Sequence, residues 1–213
     1  MSVFYIFLKE ILILKKITFK DKQLFKGFTV CGNMTHEQMT KIVSYNRIHD
    51  LVKTGYIQRI SYEDKNINRL KSQFAYRLTE KGKNFCRNQL HYRNFANGRH
   101  EVRHQVACAE IYTSLTPEQR MHCMNDKDQE QYAFGQAYQL LSEGRLDEGH
   151  ELIDNIRNAS FVDLCVVTVT ESSTEIACFE VITNSYSQDQ IEAHYECATE
   201  VLHCTTYETI NIH

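Results

Sequence analysis

The sequence has little that interrupts a folded chain. Its 213 residues include one proline and eight glycines. That excludes collagen, a proline-rich linker and a glycine-rich low-complexity chain. It also lacks a long uncharged apolar run. Met1 to Leu8 is apolar, but Lys9 and Glu10 interrupt it, and Ile11 to Leu14 ends at Lys15 and Lys16. Nothing reaches the roughly 18–20 residues of a membrane span. A secretory signal would carry its positive charge before the apolar run, whereas here it follows. The expectation is a buried amino-terminal helix or strand in a cytoplasmic protein with no membrane contact. The eight cysteines form no Cys-x-x-Cys pair and no dense framework, so reduced thiols are expected. The Asn-x-Ser/Thr triplets at Asn33 and Asn158 then carry no weight as glycosylation sites.

Hydrophobic residues make up 42% of the chain and charged residues 24%, as in an ordinary globular protein. This length suits one large domain or two small ones. The net charge of -3 conceals an asymmetry. Residues 1–104 carry 20 Lys and Arg against 8 Asp and Glu, a balance of +12. Residues 105–213 carry 4 against 19, a balance of -15, and the last lysine is Lys127. Such a split points to a half that faces nucleic acid joined to a half with another job.

The basic half has a legible order. Asp21 to Phe28 predicts a helix with Leu24, Phe25 and Phe28 on one face. Thr35-His-Glu-Gln38 is a capping box that opens a short helix to about Val43. Ser44 suits the N-cap of the next helix, with Ile48, Leu51 and Val52 as its buried stripe. Gly55 suits the left-handed position at that helix's end. Tyr56 to Tyr62 and Gln73 to Leu78 predict strands around a charged turn, and Thr79-Glu-Lys-Gly82 opens another helix. Leu51-Val-Lys-Thr-Gly-Tyr-Ile-Gln-Arg59, followed by Tyr76-Arg-Leu-Thr-Glu-Lys-Gly-Lys83, resembles the winged helix-turn-helix family over about residues 17–90. That resemblance implies a recognition helix in the major groove of duplex DNA. Tyr45, Asn46, Arg47, His49 and Lys53 would lie on it, and Lys65, Arg69 and Lys71 on the wing. Asn and Arg can read base edges in bidentate fashion, and the lysines can hold phosphate.

His100-Glu-Val-Arg-His104 fits the His-Glu-x-x-His zinc pattern, with Glu101 as general base and Glu118 or His122 as further ligands. Arg103 beside the site argues against a protease. His194, Cys197, His203 and Cys204 cannot converge on a metal from one helix. The expectation is therefore no bound cofactor, with His100 and His104 as the zinc candidates.

Thr116-Pro-Glu-Gln119 is a second capping box, with proline at the first helical position. Helices are expected over 129–142 and 147–157. Strands are expected at Phe161–Val169, Ile176–Thr183 and Tyr207–Ile212, with a helix from Gln188 to His203. This β-β-α-β unit is similar to a restriction-endonuclease-like core, in which an Asp and a Glu-x-Lys hold a divalent metal such as magnesium. Asp163 and Glu180 match the acidic positions, but Ile182 stands at the lysine. The bland alternative places Asp163 in a local pair and Glu180 on a solvated strand face.

The fold expectation is α+β in three parts. These are a winged-helix domain over 1–90, a helical connector over 91–160 and a small acidic α/β unit over 161–213. The whole order resembles the replication-relaxation family of plasmid and conjugative elements. The resemblance rests on Asp21 to Leu24, Thr35 to Gln38, Leu51 to Tyr56, Tyr76 to Gly82, the His100–His104 helix start and the Asp163 and Glu180 strands. It implies DNA binding in the replication or transfer of a mobile element. The expectation is a non-enzymatic protein that binds double-stranded DNA in replication, transfer or regulation, as a homodimer because dimers suit palindromic sites. One alternative is a metal-dependent nuclease using Asp163 and Glu180. Another is a phage or plasmid anti-defence inhibitor whose acidic half binds a basic protein partner.

Overall fold

The computed structural model describes residues 17–62, 73–96, 98, 101–170 and 173–212. The expected amino-terminal element, the turn carrying Lys65, Arg69 and Lys71, and His100 fall outside these residues. The described chain is mixed α+β with two small sheets.

The first helix, α1 (Phe19–Cys31), starts at a reciprocal capping box between Thr18 and Asp21. Gly32, at φ 86°, closes it, a conformation cheap only for glycine. A two-residue strand, β1 (Asn33–Met34), follows. The Thr35–Gln38 box then opens α2 (His36–Thr40). Ser44 caps α3 (Tyr45–Lys53), which buries Ile48 and Leu51. Helical spacing puts Val52 near that stripe, but it is 37% exposed. One residue beyond Leu51 turns the side chain about 100° off the buried line.

Gly55, at φ 74°, turns the chain into β2 (Ile57–Tyr62), which pairs antiparallel with β3 (Gln73–Leu78). The sheet order is β1-β3-β2. At the exit from β3, Thr79 Oγ1 donates to the Gly55 carbonyl at 2.6 Å and accepts from the Gly82 amide at 3.1 Å. This starts α4 (Glu80–Gln89). A Cβ at Gly82 would run into the Tyr56 carbonyl oxygen. The Leu-Thr-x-x-Gly pattern is thus a cap and a close approach made by neighbouring residues.

The middle of the chain packs onto this unit. α5 (Val102–Ser114) lies against α1 so closely that a Cβ at Gly27 would meet Tyr112 at 2.7 Å. The Tyr112 hydroxyl donates to the Gln23 carbonyl at 2.7 Å, and Gln38 Nε2 donates to the Val106 carbonyl at 2.9 Å. α6 (Pro117–Met121) starts at the Thr116–Gln119 box.

The second sheet has the order β4-β5-β6-β7, built from β4 (Cys123–Met124), β5 (Leu164–Val169), β6 (Thr174–Thr183) and β7 (Thr206–Ile212). The first three pair antiparallel, and β7 runs parallel to β6. Between β4 and β5 come α7 (Asp126–Ser142) and α8 (Leu146–Asn158), turned by Gly144 at φ 83°. Alternate strand residues face opposite cores, as the two-residue strand period requires. Leu164, Val166 and Val181 join the core built on α1 and α5. Cys165, Ile176 and Cys178 join the core with Ala133, Leu152 and Leu202.

The helix expected over Gln188–His203 is instead α9 (Gln188–Glu196) followed by a π-helical turn over Cys197–Val201. The Leu202 amide donates five residues back to the Cys197 carbonyl at 3.1 Å, and His203 then takes φ 52°. The widened turn buries Cys197, Ala198 and Val201 under the sheet while the chain swings into β7. The two short strands β1 and β4 lie outside the sequence expectation, because two residues carry no readable alternation. Among the described residues no helix is long and apolar enough to cross a membrane.

Candidate functional site

Two places gather the polar residues singled out above. The first is the outer face of α3. Tyr45, Asn46, His49 and Lys53 are exposed on it, while Ile48 and Leu51 anchor its other side. The Tyr45 ring packs 5.2 Å from the His36 ring, which fixes the start of the face. Arg47 is placed differently. Its guanidinium donates through Nε to Asp21 Oδ1 at 2.7 Å and through a terminal nitrogen to Oδ2 at 3.1 Å. Asp21 is buried and also accepts from Thr18. Arg47 therefore ties α3 to the start of α1 with the forked geometry that suits a carboxylate.

The second place lies where β5 and β6 meet α5 and α9. Extending the β5–β6 register by one residue sets Asp163 opposite Glu180. The Asp163 amide donates to Glu180 Oε2 at 3.0 Å, and the Val181 amide donates to Asp163 Oδ2 at 2.8 Å. His104 Nε2 stands 3.0 Å from Asp163 Oδ2, and Cys108 Sγ is 3.8 Å from His104 Nδ1. From α9, His194 Nε2 lies 3.7 Å from Glu180 Oε1, and its Nδ1 is 3.0 Å from the Phe161 carbonyl. The Tyr186 hydroxyl is directed at Glu180. A cavity of about 250 Å³ is lined by His104, Cys108, Asp163, Tyr186 and His194 among others.

Glu180 is 0% exposed, which overturns the solvated-face alternative. Its β6 position alternates inward with Ile176 and Cys178. Burial and the neighbouring Asp163 carboxylate push its carboxyl up to about 8, so it holds its proton at neutral pH. Burial likewise raises the Cys108 thiol well above its usual value, with Asp163, Cys31 and Glu180 adding to the effect. All eight cysteines are free thiols.

The structure thus brings Asp163, Glu180 and His104 together. It does not bring Glu118 or His122 to them: Glu118 is exposed, and His122 caps the end of α6. Cys108, Tyr186 and His194 belong to the cluster, a role that sequence reasoning does not give them. His104 and Cys108 stand four residues apart, and this helical spacing of two metal-binding side chains is the signal that could have found the pair.

Residues 31–135 match the family model described as replication-relaxation. The matched segment takes in the α3 face, His104 and Cys108, and stops before Asp163 and Glu180. No curated protein and no solved structure matches the chain.

Proposed function

We propose that this chain binds double-stranded DNA through a winged helix-turn-helix, in the replication, transfer or regulation of a mobile element. The observation that carries the reading is the α3 face. It sets Asn46, His49 and Lys53 outward on a helix held rigid by the Arg47–Asp21 fork and by Ile48 and Leu51 beneath. The helix–helix–strand–strand–helix order, the +12 balance of residues 1–104 and the replication-relaxation match support it. Asn46 and His49 read bases, and Lys53 holds phosphate. Lys65, Arg69 and Lys71, in the segment joining β2 to β3, add backbone contacts. Arg47 positions the helix. A homodimer suits a palindromic site, with the acidic half as its interface.

Titration of the full chain against duplex DNA at several salt concentrations tests the reading. With about six phosphate contacts, affinity drops about a thousandfold between 50 and 200 mM salt. A flat response overturns phosphate-driven binding.

The convergence of Asp163 and Glu180 favours a second reading, a magnesium nuclease with a restriction-endonuclease-like core. The residues present fit that metal poorly. Asp163 Oδ2 is already held by the Val181 amide and faces His104, and the buried Glu180 keeps its proton. Ile182 supplies no cation. No catalytic step follows from such a set. Magnesium-dependent nicking that disappears in Asp163→Ala would nonetheless establish it, and no cleavage under any divalent metal would sink it.

A further inference from the structure

The donor set that suits magnesium poorly suits a softer ion well. His104 and Cys108 share one face of α5, and Asp163 arrives from the segment before β5. One donor atom from each of the three lies within 4.8 Å of the other two. Zinc holds sulfur, nitrogen and oxygen donors about 2.0–2.3 Å away, so neighbouring ligands of a tetrahedral ion stand roughly 3.3–3.6 Å apart. The 3.8 Å from Cys108 Sγ to His104 Nδ1 is already close to that spacing.

The surroundings are short of positive charge. Asp163, Cys31, Glu180 and Cys123 lie near enough to act electrostatically on Cys108, Lys26 acts on Cys31 and Cys123, and no lysine or arginine is among the described residues lining the cavity. Imidazole, thiol and carboxylate donors gathered in one buried place are the ligand types that bind zinc. Hard cations select oxygen ligands, whereas thiolate and imidazole select zinc and its neighbours.

We propose that His104, Cys108 and Asp163 bind one transition-metal ion of the zinc class, with its fourth coordination position open to the cavity. On binding, the Cys108 thiol releases its proton to solvent and the sulfur becomes the metal's thiolate ligand. Three protein ligands and one open position is the arrangement of a zinc ion that exchanges water or a small ligand. This metal binding does not depend on DNA binding. It uses Asp163 without Glu180, so it also differs from the magnesium site considered above.

The test uses the full chain, stripped with a chelator and titrated with cobalt(II), a spectroscopic probe for zinc sites. One cobalt binds per chain, with thiolate-to-metal charge-transfer absorption. Cys108→Ser and His104→Gln abolish that absorption, Asp163→Asn weakens binding about tenfold or more, and Cys178→Ser leaves it intact. Millimolar magnesium does not displace the cobalt. Circular dichroism checks that each variant is folded. Should Cys108→Ser fail to fold, zinc K-edge absorption on the wild-type chain decides, with one sulfur per zinc and nitrogen or oxygen beyond it. No cobalt binding, a band that survives Cys108→Ser, displacement by magnesium, or any other sulfur count overturns the site.

Discussion

Between Thr18 and Gln89 the hydroxyls that start helices find their partners three residues away, whereas between Cys123 and Ile212 the buried acids find theirs across strands and from other helices. In the first region the Thr18, Thr35 and Thr79 hydroxyls cap amides three residues on. The bases there stand mainly outside, and buried Asp21 is answered by the Arg47 fork. In the second region Asp163 and Glu180 bond across strands 17 and 18 residues apart, and their imidazole partners arrive from α5 and α9. The basic region uses its hydroxyls to start helices and leaves most of its bases exposed. The acidic region encloses its polar groups around a cavity, where burial changes their protonation.

The sharpest way to break the basic side of this comparison is Gly82→Ala. The added methyl would meet the Tyr56 carbonyl, a backbone atom that cannot swing aside. Overpacking of this kind costs about 3 kcal/mol or more. Urea unfolding should show that loss, together with weaker DNA binding. A variant as stable as wild type would mean that the Gly55–Thr79–Gly82 junction is not what holds β3 and α4 together.

The acidic side is tested through pH. The folded Glu180 carboxyl titrates near 8, against an unfolded value of about 4.5. Between these values the folded chain holds a proton that the unfolded chain releases, so stability falls as pH rises from about 4.5 to about 8. Below that window both states are protonated, and above it both are ionised. One proton of difference gives a slope of about 1.4 kcal/mol for each step of one in pH, so the loss in chelated buffer is on the order of 5 kcal/mol at most. Glu180→Gln mimics the protonated carboxyl and should flatten that dependence in urea unfolding at pH 5 and pH 8. An unchanged slope would assign it to other groups in the cluster.

The same contrast explains what can be read from the residues in advance. Thr35–Gln38, Ser44, Gly55 and Thr116–Gln119 act over three or four positions, and caps and turns are written at that range. The strands expected at Gln73–Leu78 and Ile176–Thr183 are legible because their β-branched and aromatic residues recur at short spacing. β1 and β4 are not, since each exists only as a partner for a distant strand. The π-helical turn at Cys197–Val201 is hidden because its sequence suits an α-helix equally well, and the approach of β7 decides it. Asp163 and Glu180 are visible as a pair of acids. The inward orientation of Glu180, and the arrival of His104, Cys108 and His194, depend on how three elements cross, which no local spacing records.

The smallest expected effect separates the two jobs assigned to α3. Asn46 is exposed at the helix's first turn, and alanine there keeps the helix. If Asn46 reads a base edge, Asn46→Ala should cost about 1–2 kcal/mol on the preferred duplex, about tenfold in affinity, and almost nothing on random DNA. The salt slope should not move. Lys53, further along the exposed side, should behave in the opposite way. Lys53→Ala should weaken every duplex alike and lower the salt slope by about one. Binding isotherms for both variants on preferred and random duplexes, at matched salt, make the comparison. Equal losses for Asn46→Ala on both duplexes would reduce α3 to a phosphate-holding helix. The outward charge of the basic half would then serve affinity alone, and sequence reading would have to come from elsewhere on the chain.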